Sequence, residues 1–252
     1  MKITFICCCN NKQELDSMLL PSFNLMDKSI CNLILIDAKQ ENFKSAAEAY
    51  NKTIERRKNE IGDILVFCHQ DIAFDNSDFL KNIVLELTRD KNQILGFAGL
   101  FNEGPVISNL RYYKNKSYIT GIQIKEKTEV YSLDECCFAM DKSIYERFLF
   151  NEKICNHWHL YATEFCYNAR LHGITSYVMP DTIYHKKEKG CGLSTDRHFL
   201  ATMWRLTQKY RKHFDSIYTT SYNRCKTNPI FAGARIVRTT LGNFYRLCKS
   251  HL

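Results

Sequence analysis

The feature that most constrains the fold is a repeated alternation of short apolar runs with amphipathic stretches. The apolar runs cover residues 2–9, 32–36, 63–68 and 94–100. Between them, residues 43–54 and 77–88 place apolar side chains at helical spacing, with charged residues on the other faces. Uninterrupted apolar strands that alternate with helices are typical of a parallel sheet covered on both faces. The first hundred residues therefore predict an α/β domain.

The overall composition is that of an ordinary folded protein. The chain has 252 residues, of which 45% are hydrophobic and 25% charged, which is enough for one α/β domain with a sizeable core. No run approaches the roughly 18 apolar residues of a membrane span, and the start lacks the features of a signal peptide. We expect a soluble, cytoplasmic protein. The 12 cysteines include contiguous groups and no paired zinc knuckles, which favours buried, reduced thiols.

Positive charge is concentrated at the C-terminal end. Residues 186–252 hold 14 Lys and Arg against 3 Asp and Glu, whereas residues 1–185 hold 21 against 24. Residues 230–248 have the pattern of a basic amphipathic helix, which suits either an anionic membrane surface or packing with a solvated basic face. Nucleic acid is not expected as a partner, because the segment carries none of the known motif signatures.

Polar residues stand where three predicted strands end. Asn10 follows the first strand, Asp37 the second, and His69, Gln70 and Asp71 the third. In open parallel sheets, ligands bind beyond the carboxyl ends of the strands. A carboxylate there suits a hard divalent cation, although Asp71 is also a plausible turn or helix-capping residue.

The rest of the chain predicts less regular elements. A short helix is expected over 12–20, ending near Pro21, and short strands over 102–132. A strand near 130–140 leads to Asp134 and Glu135 at its end, and then to Asp141, a candidate N-cap for the helix that follows. Later elements are expected at the positions that follow: a helix over 158–172, a strand over 174–179 that precedes His185, and a helix over 196–213.

An ordered set of segments resembles the family-2-like glycosyltransferases. Residues 45–54 (SAAEAYNKTI) and 62–71 (GDILVFCHQD) are similar to the nucleotide-sugar half, in the bacterial branch with His-x-Asp in place of Asp-x-Asp. Further on, the resemblance is carried by residues 164–173 (EFCYNARLHG), 180–185 (PDTIYH) and 204–210 (WRLTQKY). The resemblance runs from residue 2 to about residue 214.

This resemblance implies a GT-A-type fold, a Rossmann-like α/β architecture with a mostly parallel central sheet flanked by helices. A catalytic domain over 1–214 would divide into a nucleotide-sugar half (1–101) and an acceptor half (102–193), followed by a basic helical extension over 215–252. The implied reaction is metal-dependent, inverting transfer of a hexose from a nucleotide-diphosphate sugar to a glycan or lipid-linked acceptor, in cell-surface polysaccharide synthesis. Peripheral contact with the inner face of the membrane would run through residues 224–249. Specificity is expected in residues 102–135 and in the loop after His185.

The resemblance also assigns roles to individual residues. Asp71 and His185 would bind Mn²⁺ or Mg²⁺, with a non-ligating loop histidine as the alternative for His185. The nucleotide site would comprise the residues at the strand ends and one on the following helix, namely Cys9, Asn10, Asp37, Asn51, His69 and Asp71. A structural role is an equal alternative for Asn51. Trp158 and His159 either frame the acceptor sugar or belong to the core.

The catalytic base is the least determined role. The position that usually carries the acid in this family holds Ala162. Glu164 is the nearest carboxylate, but on a helix it would point about 200° away from that position. Asp134 and Glu135 are the alternatives.

Two other functions compete with this one. A GT-A domain that has lost catalysis and binds glycans or membranes is favoured by the missing acid at Ala162. A nucleotidyltransferase is disfavoured, because residues 7–11 contain no glycine for the phosphate-binding loop of that class.

Overall fold

The computed structural model describes residues 1–75, 78–119, 121–186 and 196–250. Its strands in chain order are β1 (Ile3–Cys9), β2 (Cys31–Asp37), β3 (Ile64–Cys68), β4 (Ile72–Phe74), β5 (Gln93–Gly96), β6 (Ala98–Leu100), β7 (Ile107–Ser108), β8 (Arg111–Tyr112), β9 (Thr128–Val130), β10 (Ser132–Leu133), β11 (Cys137–Asp141), β12 (Thr175–Val178), β13 (Ile183–His185), β14 (Ser216–Thr219) and β15 (Asn223–Lys226). Its α-helices are α1 (Lys12–Glu14), α2 (Leu20–Asn24), α3 (Ala46–Arg56), α4 (Asp78–Arg89), α5 (Lys142–Phe148), α6 (Tyr161–Arg170), α7 (Arg197–Tyr210) and α8 (Pro229–Ser250).

A seven-stranded sheet forms the centre, in the order β2-β1-β3-β11-β5-β12-β9. Five of its strands run in one direction, and β11 and β9 run in the other. Cys137, the first residue of β11, pairs with Cys68, the last residue of β3. The antiparallel strand therefore begins at the edge where the parallel strands end. This register brings the turn before β11 to the ligand-binding edge.

Two layers of helices cover the sheet, as the apolar strands predict. Alternate residues of β1 face opposite layers, so that Phe5 packs with α4 whereas Ile6 packs with α3 and α6. The strands β1, β2 and β3 each supply side chains to both cores, which explains why these segments are apolar without interruption. The α/β class and the flanking helices are confirmed.

The C-terminal part is built differently from the simple helical extension expected over 215–252. It begins with the hairpin of β14 and β15, and α8 follows. A third core joins α7, the hairpin and α8 through buried residues that include Leu206, Ile217 and Ala232. Tyr167 of α6 accepts a hydrogen bond from the backbone N–H of Tyr218 at 2.8 Å, which ties the hairpin to the central domain.

Three local expectations differ from the structure. The first helix does not end at Pro21: a π-helical turn over Leu15–Leu19 leads into α2, and Pro21 lies in the first turn of α2, where no backbone donor is required. The run 94–100 is split, because the chain leaves the central sheet after Gly96 and enters a second, three-stranded sheet at Ala98. Likewise β10 and β11 replace the single strand expected over 130–140. Hydrophobicity alone does not show where a chain changes sheets.

Two expectations about the chain as a whole concern cysteines and membranes. The ten cysteines that the structure describes are free thiols, and eight of them are buried. Among the described helices, none combines the length and apolarity that crossing a bilayer requires.

Candidate functional site

A cavity of about 450 Å³ opens at the carboxyl edge of β1, β2 and β3. Its lining comes from the three strand ends, from α3 and from the start of α6, and comprises Cys8, Asn10, Ala38, Lys39, Phe43, Ala46, Tyr50, His69, Gln70, Asp71, Trp158 and Tyr161. Its size and its mixture of aromatic and polar groups are those of a small-molecule site. The edge predicted from the sequence is therefore concave in the structure.

Two histidines and one aspartate converge at one side of this cavity. Asp71 Oδ2 lies 3.5 Å from His185 Nε2, and Asp71 Oδ1 lies 3.8 Å from His69 Nδ1. One ligand atom from each of the three side chains lies within 4.8 Å of the others. Antiparallel pairing of β13 with β4 produces this convergence, since it places His185 opposite Ile72, the neighbour of Asp71. The structure thus brings together residues that are more than a hundred positions apart.

The electrostatics of His69 suit ligation by a neutral ring. Burial lowers the pKa of His69, and His185 lowers it further, against the opposing effect of Asp71. A neutral imidazole is the form that binds a metal ion, and nitrogen with carboxylate oxygen is a donor set that Mn²⁺ accepts. The three side chains therefore fit a divalent transition-metal ion.

Gln70 fixes this cluster to the first strand. Its Oε1 accepts hydrogen bonds from the backbone N–H groups of Asn10 and Asn11, both at 2.9 Å. Its Nε2 donates to Asn10 Oδ1 at 2.8 Å and to Glu14 Oε2 at 3.2 Å. Glu14 in turn pairs with Lys186, the residue after His185. The side chain between His69 and Asp71 thus links the ends of β1, β3 and β13.

Asp134 lies next to the cluster, directly after the last residue of β10. It stands in the turn before β11, and its charge interacts with both His69 and His185. Oδ2 accepts a hydrogen bond from Thr220 Oγ1 at 2.5 Å, and Oδ1 accepts one from the backbone N–H of Cys136 at 2.9 Å. Burial alone would raise the pKa of Asp134, but these hydrogen bonds and the histidines lower it.

Glu135, the next residue, has the opposite electrostatic character. Its Oε1 accepts a hydrogen bond from the backbone N–H of Tyr161, the first residue of α6, at 2.7 Å. Burial and the charge of Asp134 raise the pKa of Glu135 to about 8, although the N–H groups at the start of α6 oppose the rise. Two adjacent carboxyl groups are thus held with different proton affinities.

Glu164 is not part of the cavity, which corrects its expected role as the catalytic base. Its side chain is only 1% exposed and forms an ion pair with Lys209 of α7. Tyr210 donates a hydrogen bond to Glu164 Oε1 at 3.0 Å. Because the helix turns Glu164 toward α7, its carboxylate stabilises the contact between α6 and α7. Ala162 is fully buried.

Asn51 does not line the cavity either. Its Nδ2 donates to Phe150 O and to Glu152 Oε1, both at 2.9 Å, and its Oδ1 accepts from Tyr145 Oη at 2.9 Å and from the Phe150 N–H at 3.1 Å. These four hydrogen bonds occupy the amide within the protein. These contacts are those of a structural role for Asn51 rather than of a role in binding the nucleotide.

The other residues predicted to bind the nucleotide lie at the ends of β1 and β2, and they differ in whether they line the cavity. Asn10 lines the cavity, whereas Cys9 packs toward the opposite core and its neighbour Cys8 takes the place in the wall. Asp37 lies beside Ala38 and Lys39 of the wall, and its Oδ1 accepts hydrogen bonds from the N–H groups of Lys39 and Gln40 at 3.0 and 2.9 Å. Asp37 thus shapes the loop that borders the cavity.

The sequence missed most of the aromatic wall. Tyr50 is the core residue that its helical spacing predicts, at 1% exposed, but it also forms part of the cavity wall beside Tyr161, with ring centroids 5.5 Å apart. Trp158 also lines it, whereas His159 pairs with Asp196 at 3.0 Å. The cationic Lys39 was missed as well; its position two residues after Asp37 was the available signal. In the loop after His185, where specificity was expected, residues 187–195 lie outside the described residues.

Comparison with known families places this site in context. The sequence profile of the glycosyltransferase-like family matches residues 4–226, which is most of the chain. No curated protein matches the chain in sequence.

Several solved structures share the architecture. GalNAc-T7 with UDP, GalNAc and Mn²⁺ aligns with a TM-score of 0.58 at 10% identity, over 84% of this chain and 48% of its own length. The mannosyltransferase PcManGT from Pyrobaculum calidifontis, in complex with GDP-Man and Mn²⁺, aligns with a TM-score of 0.57 at 12% identity, over 98% of this chain and 75% of its own. Residues 1–349 of S. aureus TarS align with a TM-score of 0.51 at 12% identity, over 99% and 73% of the two chains. The GT-A-type fold is confirmed.

Proposed function

Since the chain belongs to the glycosyltransferase-like family, we propose that it transfers a sugar from a nucleoside-diphosphate donor to a glycan or lipid-linked acceptor with the help of a divalent cation. The observation that carries the proposal is the convergence of His185 with His69 and Asp71, two residues that line the cavity. Two of the solved structures with this fold contain Mn²⁺ together with a nucleotide or nucleotide sugar.

The cation would be held by His69, Asp71 and His185. Mn²⁺ is preferred because two of the three ligands are imidazoles, and Mg²⁺ is the alternative because the third is a carboxylate. The bound cation would neutralise the negative charge of the diphosphate as it leaves the sugar. Gln70 contributes by holding the loop that carries His69 and Asp71 against Asn10.

The rest of the cavity would bind the nucleoside. Tyr50 and Tyr161, both nearly fully buried, form part of the apolar wall behind the base or ribose, and Lys39 adds a positive charge to the lining. Asn10 and the loop shaped by Asp37 supply polar groups at the ends of β1 and β2. Apart from Tyr161, these contacts come from residues 1–101, and we assign the acceptor side to residues 102–193.

For the catalytic base we propose Glu135 in preference to Asp134. The acceptor hydroxyl must lose a proton as its oxygen attacks the anomeric carbon and the bond to the diphosphate breaks, with inversion at that carbon. A carboxylate whose pKa lies at about 8 holds that proton far better than an ordinary one. Asp134, with a lowered pKa and both oxygens hydrogen-bonded, would orient Thr220 and influence the histidines.

The competing function is a GT-A domain without catalysis that binds glycans. The buried Ala162, at the position expected for the base, is the observation in its favour. Glu135 reaches the same helix start from the turn before β11, which favours the enzyme. By resemblance we place the reaction in polysaccharide synthesis on the cytoplasmic side of a membrane, with a hexose as the sugar.

The direct test measures release of nucleoside diphosphate from a panel of nucleotide sugars, with Mn²⁺ or with chelator. The proposal predicts metal-dependent turnover of one donor that is abolished in Asp71→Ala. Lys58→Glu, a change at an exposed residue in the turn that follows α3, is the matched control. Absence of turnover for every donor, together with intact glycan binding, would favour the inactive domain.

A further inference from the structure

The outer face of α8 carries a stripe of exposed apolar side chains. Among the described residues it comprises Ile230, Phe231, Val237, Leu241 and Tyr245, which are 56% to 79% exposed. At 100° per residue these positions span about a third of the helix circumference. The opposite face packs on the domain through Ala232 and Ile236. The helix therefore has one apolar face that packs on the protein and a second that is exposed, with the ammonium group of Lys226 over the Phe231 ring at its edge.

Positive charge borders this stripe on one side. A groove of about 910 Å³ lies between α8 and the hairpin, and four cations line it: Arg224, Lys226, Arg235 and Arg238. The one carboxylate in its lining, Glu103, pairs with Arg224 at 2.9 Å. Within the described part of the chain, Arg238 has no ionic partner. The face thus combines excess positive charge with an apolar strip.

We propose that this face binds the surface of an anionic lipid bilayer, with the apolar stripe inserted among the acyl chains and the cations on the phosphate groups. A helix with this division of faces lies in the plane of the membrane interface, and cations there are attracted to anionic lipid. A soluble anion would leave the stripe exposed. Pairing of this face with a second copy of the chain about a two-fold axis is disfavoured, because it would bring the arginines of both copies together.

The groove beside this face is linked by hydrogen bonds to Asp134, the carboxylate next to the cluster of His69, Asp71 and His185. Tyr222 lines the groove, and its hydroxyl group lies 2.7 Å from Thr239 Oγ1 of α8. Arg235 Nη2 donates to Tyr222 O at 2.9 Å. Two residues before Tyr222, Thr220 lines the groove and donates to Asp134 at the cluster. Binding to the bilayer would therefore hold the acceptor side of the cavity near lipid. This consequence rests on the proposed function, and it favours a lipid-linked acceptor.

The test is sedimentation with vesicles of phosphatidylcholine alone or mixed with phosphatidylglycerol. The full chain is expected to bind the mixed vesicles and not the neutral ones, and to be released by salt. Lys226→Glu with Arg238→Glu should lower the partition about tenfold or more, and Val237→Asp with Leu241→Asp should lower it at least as much. The matched controls, Lys58→Glu with Lys153→Glu and Leu25→Asp with Leu85→Asp, change exposed residues elsewhere and should leave it unchanged.

Three outcomes would overturn the inference: equal partition to neutral vesicles, no effect of either the charge variant or the stripe variant on partition, or a stripe variant that only converts a dimer to a monomer in ultracentrifugation. Nucleotide titration of the same samples separates the two proposals. The charge and stripe variants should retain nucleotide binding, and Asp71→Ala should retain vesicle binding. Loss of nucleotide binding alone would leave the membrane inference standing.

Discussion

The carboxylate of Glu135 accepts a hydrogen bond from the backbone N–H of Tyr161 at 2.7 Å, across 26 residues of sequence. The residue before Tyr161, Leu160, has a φ of +66°, which is unfavourable for a bulky side chain. Strained backbone of this kind persists where surrounding contacts hold it, and it is frequent at functional sites. Glu135 thus joins the turn before β11 to the start of α6 beside the cavity.

Replacing Glu135 by Gln should separate catalysis from binding. Gln keeps the hydrogen bond to the Tyr161 N–H but cannot take the acceptor proton, so kcat should fall about 100-fold with donor affinity nearly unchanged. Asp134→Asn should have a smaller effect on kcat. In the unaltered protein, kcat/KM should rise with pH toward a plateau above about 8, because the base acts when deprotonated. A larger loss in Asp134→Asn would assign the base to Asp134.

Glu135 should also make stability depend on pH. Its folded pKa of about 8 lies above the usual 4.5, so between these values the folded state binds more protons than the unfolded state. The free energy of unfolding should therefore decrease as pH rises through this window, and this contribution should disappear in Glu135→Gln. Urea titrations of both proteins across the window measure it. Identical slopes would contradict the raised pKa.

Glu164→Ala should reduce stability without affecting the cavity. The substitution leaves Lys209 without its buried partner, for which we expect a loss of about 3 kcal/mol in the free energy of unfolding. Nucleotide binding below the unfolding transition should persist. Glu55→Ala, an exposed change on α3, is the control and should be nearly neutral. Loss of activity in a still-folded Glu164→Ala protein would return Glu164 to the site.

Gln70→Ala should weaken cation binding although the side chain is not among the three ligands. Removing its hydrogen bonds to Asn10 and Asn11 frees the loop that positions His69 and Asp71. Supporting residues of this kind typically contribute tenfold or more to metal affinity, so the Kd for Mn²⁺ should rise about tenfold. Titration of Mn²⁺ by electron paramagnetic resonance measures it, with the exposed Gln123→Ala as control. An unchanged Kd would show that the loop is held by other contacts.

Much of the architecture follows from sequence pattern because strands buried on both faces are apolar throughout. The apolar run ending at Cys68 predicted both β3 and the position of Asp71 at the sheet edge, and the resemblance added His185. The distance of 3.5 Å between Asp71 Oδ2 and His185 Nε2 depends on the pairing of β13 with β4. Residue spacing contains no information about such a pairing.

The order of preference among the candidate bases depends on strand direction and helix rotation. Asp134 and Glu135 reach the site because β11 runs antiparallel to β3, and direction is not visible in an apolar run. Glu164 leaves it because α6 turns that carboxylate toward Lys209. The geometry of the helix already indicated this rotation, and the nearest carboxylate in sequence was not the nearest in space.

The most direct test of the central claim is calorimetric titration of the full chain with UDP, GDP, CDP and dTDP, with and without Mn²⁺. The account predicts that one nucleotide binds only with the metal, and that Asp71→Ala and His185→Ala abolish this binding. The Lys58→Glu variant should bind as the unaltered protein does. Nucleotide binding that needs no metal, or that persists in both variants, would contradict the assignment of His69, Asp71 and His185 to a cation.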